Sequence, residues 1–257
     1  MNSYQTFLQL HQGRSPFLLG NIWDVNSAKI FAANGYKAIG TSSHAIAGSN
    51  GYDDGENISF ETILRVSKRV VQTVSIPFTV DMEAGYSRTV KGINANIEKL
   101  HDAGVVGINL EDTIPGAPRK LVDTALFGET IAAIAGHISR KNLQVFFNIR
   151  TDAFLLGMPS ALEETLARIK VYENAGAGGI FVPGITGKAA IAEVVKAGRL
   201  PVNVMCMPGL PDFDELESLG VKRISMGGFF YNKIYENVQQ LSSAVLSGNN
   251  FSSIIHQ

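Results

Sequence analysis

Four times along this chain an amphipathic run stops at a glycine and a short apolar run follows, at Gly35, Gly104, Gly176 and Gly220. Glycine enters the left-handed backbone that ends a helix without steric cost, so each one marks a helix leading into a strand. The strands are short and apolar. Such runs belong in a parallel sheet with helices as crossovers. Strands are predicted at 17–19, 37–41, 78–80, 106–110, 144–149, 179–182, 202–205 and 222–226. Helices are predicted at 26–34, 59–74, 90–103, 124–140, 160–175, 188–197, 212–219 and 231–246. Eight strand–helix units in 257 residues predict an α/β chain closed as a (β/α)8 TIM barrel, one domain over 1–257 with no linker. A doubly wound open sheet is the alternative. It would carry a glycine-rich dinucleotide fingerprint after the first strand, where this chain has Gly20-Asn21-Ile22-Trp23. The stretch 45–55 reads as a glycine-rich loop.

In such a barrel, catalytic groups stand at the C-terminal ends of strands. The ends here carry Trp23; Thr41, Ser42, Ser43 and His44; Asp81 and Glu83; Glu111 and Asp112; Arg150 and Asp152; Asn203; and Gly227-Gly228. Asp81 and Glu83 lie two apart, so strand alternation points both the same way. Carboxylates that close repel each other unless a cation stands between them. Mg2+ takes oxygen ligands and keeps several waters, so Asp81, Glu83, Glu111 and the loop residue Asp54 are the candidate metal-binding acids. An ion held this way is a Lewis acid with open positions. It would chelate a 2-oxo acid through carboxylate and keto oxygens and stabilise an enolate when the neighbouring bond breaks. Arg150 is expected to clamp the substrate carboxylate with its bidentate edge, and the Ser42 and Ser43 amides to point at it. Asp152 is expected to orient Arg150, and Trp23 to wall the pocket. His44 either lines the pocket or caps a helix. Asp53 and Asp112 read as solvated neighbours, and Gly227-Gly228 as a candidate phosphate cradle.

Composition narrows the function classes. A net charge of −1 leaves no electrostatic footprint for nucleic acid or an anionic membrane. Cys206 is the only cysteine, which excludes an intrachain disulfide; it is expected to be a buried, inert thiol. The first residues lack a signal-peptide run and no apolar stretch is long enough to span a bilayer, so a cytoplasmic location is expected.

At seven segments the chain resembles the isocitrate lyase/phosphoenolpyruvate mutase superfamily. They are N-I-W-D-V-N-S-A (21–28), G-T-S-S-H-A (40–45), G-Y-D-D-G (51–55), V-D-M-E-A-G-Y (80–86), G-I-N-L-E-D (107–112), N-I-R-T-D-A (148–153) and R-I-S-M-G-G (223–228). The resemblance implies a barrel whose last helix swaps between subunits of a homo-oligomer, dimer or tetramer, and C–C or P–C cleavage beside a 2-oxo acid with Mg2+ or Mn2+. Asp81 resembles the direct metal ligand; Glu83, Asp54 and Glu111 resemble the more distant acids. Arg150 resembles the carboxylate-binding arginine, Ser42 and Ser43 occupy the oxyanion-like pocket, and Asn203 stands on a strand that offers a polar contact. Asp54, Glu111 and Arg150 are the candidate catalytic residues; Trp23, Thr41, Ser42, Ser43, His44, Asp81, Arg150 and Asn203 are the candidate substrate contacts. The superfamily's isocitrate-type lyases carry Lys-(Lys/Arg)-Cys-Gly on a mobile loop. Here that loop is T-I-P-G-A-P-R-K-L-V-D (113–123), without cysteine, and Gly184 replaces a common glutamate. These departures argue against isocitrate cleavage and point to the phosphonomutase-like (carboxyvinyl-carboxyphosphonate phosphorylmutase-like) subgroup. The expected activity is a Mg-dependent lyase or decarboxylase of a small 2-oxo acid. A non-catalytic Mg-dependent binder of 2-oxo acids or dicarboxylates is the alternative.

Overall fold

The eight predicted strands close into a barrel. In the computed structural model, which describes residues 2–116 and 118–255, they are β1 (Phe17–Ile22), β2 (Ala38–Thr41), β3 (Phe78–Asp81), β4 (Gly107–Glu111), β7 (Phe146–Arg150), β8 (Gly179–Phe181), β9 (Val202–Met205) and β10 (Arg223–Ser225). Each pairs in parallel with its neighbour, and β10 returns to β1. The helices between them are α2 (Val25–Ala33), α4 (Phe60–Val71), α5 (Val90–Asp102), α6 (Thr124–Arg140), α7 (Ala161–Asn174), α8 (Lys188–Lys196), α9 (Phe213–Ser218) and α10 (Phe229–Gly248). Side-chain oxygens of Asp24, Ser59, Thr89, Asp123 and Asp212 cap α2, α4, α5, α6 and α9. Each such cap stabilises a helix start by ~1 kcal/mol.

Alternation along the strands divides the interior into two chemistries. Ile22, Ile39, Val80, Ile108, Ile149, Ile180, Val204 and Ile224 are buried in the large apolar cluster that joins barrel to helices. Each contributes roughly 1.5–3 kcal/mol by leaving water. The intervening residues face the barrel lumen, and many are polar: Asn21, Thr79, Asn109, Asn148, Asn203, Arg223 and Ser225 are all buried. Barrels ordinarily fill this space with branched apolar layers.

Three further elements were not predicted. Helix α1 (Ser3–Gln12) closes the N-terminal end of the barrel; only Phe7 and His11 of it are buried, too few to set a visible period. Phe7 meets Phe17 and Phe146 edge-on, and His11 stacks on Phe146 at 3.9 Å. Burial pushes the imidazole down to about 3, so it packs as a neutral ring. Helix α3 (Ser43–Ser49) occupies the start of the expected loop 45–55; Ser42 caps it, and it buries Ala45, Ile46 and Ala47. A two-stranded hairpin, β5 (Thr113–Ile114) with β6 (Lys120–Leu121), follows β4 in the 113–123 loop.

Candidate active site

The C-terminal end of β3 anchors the site. Thr41 Oγ1 accepts the Asp81 amide at 2.8 Å, and Ser43 Oγ donates to Asp81 Oδ2 at 3.2 Å. The strand ends there, and Glu83 adopts a left-handed backbone with φ 47°. Strand alternation therefore does not reach Glu83; a turn aims it instead. Tyr86 (φ 53°) and Glu56 (φ 60°) share this uncommon backbone for non-glycine residues. The three hold one another in place. Tyr86 OH donates to Glu83 Oε1 at 2.6 Å, the Glu56 amide to Glu83 Oε2 at 2.8 Å, and the Tyr86 amide to Glu56 Oε1 at 2.6 Å.

Asp81, Glu83 and Glu111 are buried, and Asp54 is exposed on the loop above them. Burial pushes the Glu83 carboxyl up to about 8, with repulsion from Asp54, Asp81 and Glu111 adding to it. Burial likewise raises Asp81, against the pull of Arg150. Burial raises Glu111 to about 7, opposed by Arg150 and Arg119. The four acids thus lie within mutual repulsion of one another.

Two arginines partly offset this charge. Arg150 Nε and Nη2 bind Asp152 at 2.6 and 3.0 Å. Its Nη1 lies 3.3 Å from Glu111 Oε2 and 3.8 Å from Asp81 Oδ2. The bidentate edge is thus spent on Asp152, as the orienting role of Asp152 requires, and only Nη1 is left toward the acids. Arg119, on the hairpin, pairs with Glu111, reaches Asp152 Oδ2 at 3.3 Å and bonds Thr113 Oγ1 at 2.9 Å. Arg119, Glu111, Arg150 and Asp152 alternate in a closed ring of charge that pins the hairpin over the site. Sequence reading missed Arg119, since it sits in a proline-flanked turn with no periodic neighbour.

A cavity of about 230 Å³ opens among these residues. Thr41, Ser42, Ser43, His44, Asp54, Asp81 and Arg150 line it, with Arg119, Asn109 and Arg223 added by the fold. Trp23 does not line it; the indole packs edge-on against Tyr231 at 5.3 Å. Asn203 lies in the lumen, donating to Val204 O and Ser225 Oγ. His44 stands at the rim, its Nε2 3.2 Å from Asn232 Oδ1. A larger depression of about 890 Å³ lies at the opposite end against α1, but no carboxylate lines it, and that end of a barrel serves stability.

Several expectations are corrected. The Ser42 amide is committed to Ile22 O at 2.9 Å, because β2 continues its ladder through that residue. The Ser43 amide, at the start of α3, has no partner within the helix by position. The Gly227-Gly228 cradle fails because Asn21 Oδ1 takes the Met226 and Gly227 amides. Gly228 instead makes room for His44, whose Cδ2 would stand 2.4 Å from an added Cβ. Asp112 is fully buried, paired with Arg168 at 3.0 Å and Tyr172 OH at 2.8 Å. Cys206 is exposed, because β9 ends at Met205 and the thiol falls on the following loop.

The donor set suits a hard cation. Glu111 Oε2 is buried without a hydrogen bond, and Asp81 carries only weak ones. Among the described residues no three His, Cys, Asp or Glu side chains form a closed cage. An ion bound here would use Asp81 directly and the other acids through water, which is the habit of Mg2+.

A sequence model of the phosphoenolpyruvate phosphomutase family matches residues 7–246. The chain belongs to this family. A Burkholderia cenocepacia structure provisionally assigned as a phosphonomutase is 35% identical, with TM-score 0.88 over 94% of this chain and 99% of that one. An oxaloacetate decarboxylase of Pseudomonas fluorescens is 25% identical over 97% of this chain and 88% of its own. Phosphonopyruvate hydrolase, solved with oxalate and Mg2+, shares the fold at TM-score 0.87 and 21% identity, over 99% of this chain and 90% of that one. The protein is an enzyme of the superfamily that cleaves C–C or P–C bonds. Among the described residues no helix is long and apolar enough to cross a membrane.

Proposed function

We propose that the protein is a Mg2+-dependent lyase or decarboxylase of a small 2-oxo acid, with Mn2+ as a substitute ion. The carrying observation is the mutual crowding of Asp54, Asp81, Glu83 and Glu111, two of which, Asp54 and Asp81, line the cavity, with Arg150 Nη1 facing Asp81 and Glu111. The oxaloacetate decarboxylase relative and the Mg2+–oxalate complex of phosphonopyruvate hydrolase support the choice of substrate class and ion. A bound Mg2+ would supply open positions for two substrate oxygens and charge for the developing enolate.

The chain's own residues supply the rest. Thr41 and Ser43 fix Asp81, so the ion's direct ligand is preorganised. Arg150 Nη1 and the Ser43 amide receive the substrate carboxylate. Arg119 holds the hairpin down and limits water. Glu111 Oε2, with burial raising the group to about 7, is placed to accept or return a proton near neutral pH. Asp54, at the open rim, orients a water. The test is turnover of a panel of 2-oxo acids, oxaloacetate and phosphonopyruvate included, read by mass spectrometry with and without chelator. Oxaloacetate loses CO2 with free Mg2+ alone, so enzyme dependence is the criterion. Silence across the panel sinks the reading.

The raised acids give a pH signature. The native Glu83 carboxyl sits near 8 and Glu111 near 7, above their unfolded values, so between about pH 4.5 and those values the native state binds more protons. Stability of the metal-free protein therefore falls as pH rises through that window, by up to ~1.4 kcal/mol per group per pH unit. Millimolar Mg2+ should raise the melting temperature more at about pH 8.5 than at about pH 6. Equal shifts at both would contradict the metal assignment.

Helix α10 supports the oligomer. None of its residues is fully buried, and Phe230, Tyr235, Val238, Leu241 and Leu246 are exposed. Such an apolar face on a terminal helix fits packing on a second copy. Light scattering should find a dimer or tetramer, and Leu241→Glu should lower the mass; a monomeric wild-type protein would refute this.

A further inference from the structure

The lumen beneath the acids holds a cation that nothing above has used. Arg223 enters from the first position of β10 and is 1% exposed. Its guanidinium rests over the Phe7 ring, 6.0 Å from the centroid. Its one hydrogen bond among the described residues is long, Nη2 to Asn109 Oδ1 at 3.4 Å. Nε and Nη1 are buried and have no partner. No described carboxylate comes within ion-pair distance. A buried charge left this way is costly unless another group answers it.

The surroundings say what that group would be. Asn109 stands level with Asp81 in the β3–β4 register, so the tip of Arg223 lies just below the acids, and both line the described cavity. Asn109 Oδ1 already accepts from Asn148 at 2.9 Å, which leaves its Nδ2 as a further donor. Asn21 and Asn203 are committed to backbone groups and Ser225. What remains unanswered at this depth is the Nε and Nη1 N–H groups of Arg223 and an amide donor, a set that accepts negative charge. Burial pushes Arg223 down to about 9, so it stays charged at neutral pH.

We propose that Arg223 and Asn109 form the floor of an anion subsite taking one compact monoanionic group, either the second carboxylate of a bound diacid, the first resting on Arg150 and the Ser43 amide, or a halide from solution. The carboxylate source rests on the function proposed above; the halide source does not.

Anomalous diffraction from crystals grown in bromide without a 2-oxo acid, and a second structure with Mg2+ and oxalate, test it. Bromide or an oxalate oxygen within about 3.5 Å of the Arg223 guanidinium is expected. Neither anion there overturns the proposal. Bromide displaced by oxalate assigns the site to the substrate carboxylate; bromide retained beside oxalate assigns it to halide. Arg223→Met should lose the anion. Asn109→Asp should lose it too while keeping the fold, because it sets a fixed carboxylate beside the guanidinium. Where the carboxylate is the ligand, both should raise the oxalate Kd roughly ten-fold or more, and Arg223→Lys should recover part of it. If oxalate fails to bind anywhere while bromide occupies the floor, the proposed reaction fails and the subsite stands.

Discussion

Replacing Asp81 by alanine is expected to lower kcat/KM by roughly a thousand-fold or more, a loss of about 4 kcal/mol of transition-state stabilisation. Among the three buried acids Asp81 has the weakest commitments: Ser43 Oγ at 3.2 Å and the Glu83 amide at 3.4 Å are its side-chain contacts by hydrogen bond. Its loss removes the proposed direct ligand, whereas Glu83 and Glu111 are each engaged by neighbours. The fold should survive, because Asp81 is destabilised by burial and by repulsion from Asp54. A variant that melts at or above the wild-type temperature without Mg2+, yet shows no Mg2+-dependent rise, fits this account. Near-normal turnover in a folded Asp81→Ala protein would end it.

The largest effect on stability is expected at Arg168. This residue is 3% exposed and donates four hydrogen bonds, to Asp112, Tyr172, Glu164 and the Val122 carbonyl. Asp112 Oδ1 in turn accepts the Asp152 amide, and Asp152 holds Arg150. Arg168→Ala would leave Asp112 buried and unpaired, at a cost of ~3–5 kcal/mol. For a chain of this size that lowers the melting temperature by roughly 10 °C. Asp112→Asn combined with Arg168→Met should recover much of the loss, since the unpaired charge disappears along with its partner. A fall of under ~1 kcal/mol in Arg168→Ala, measured by denaturant unfolding, would show that the pair is not the anchor described here.

The barrel was legible in the sequence because each strand is a short apolar run set off by turn residues. The alternating lumen positions were not. Asn109, Asn148 and Arg223 are scattered through apolar strands, and only closure of the sheet brings them to one level. The acids were legible as residues at strand ends, but strand alternation does not orient Glu83, which lies beyond the end of β3. A left-handed turn aims it, and Tyr86 and Glu56 maintain that turn from outside the strand. Asp112 looked like a solvated neighbour since nothing near it signals Arg168, 56 residues on. Arg119 was hidden for a similar reason: its partners Glu111 and Asp152 meet it only when the hairpin folds back. Helix α1 leaves no periodic signal in the sequence because a plug needs few buried side chains.

The proposed function has Asp81 and its neighbours hold a divalent ion with positions open to a 2-oxo acid. Water-proton relaxation with Mn2+ tests it most directly, since the paramagnetic ion reports both its own binding and the waters it keeps. A strong relaxation enhancement is expected on binding to wild-type protein, with a marked drop when oxalate displaces those waters, and neither effect in Asp81→Ala. Binding of Mn2+ that is the same in Asp81→Ala, or that does not respond to oxalate, would contradict it.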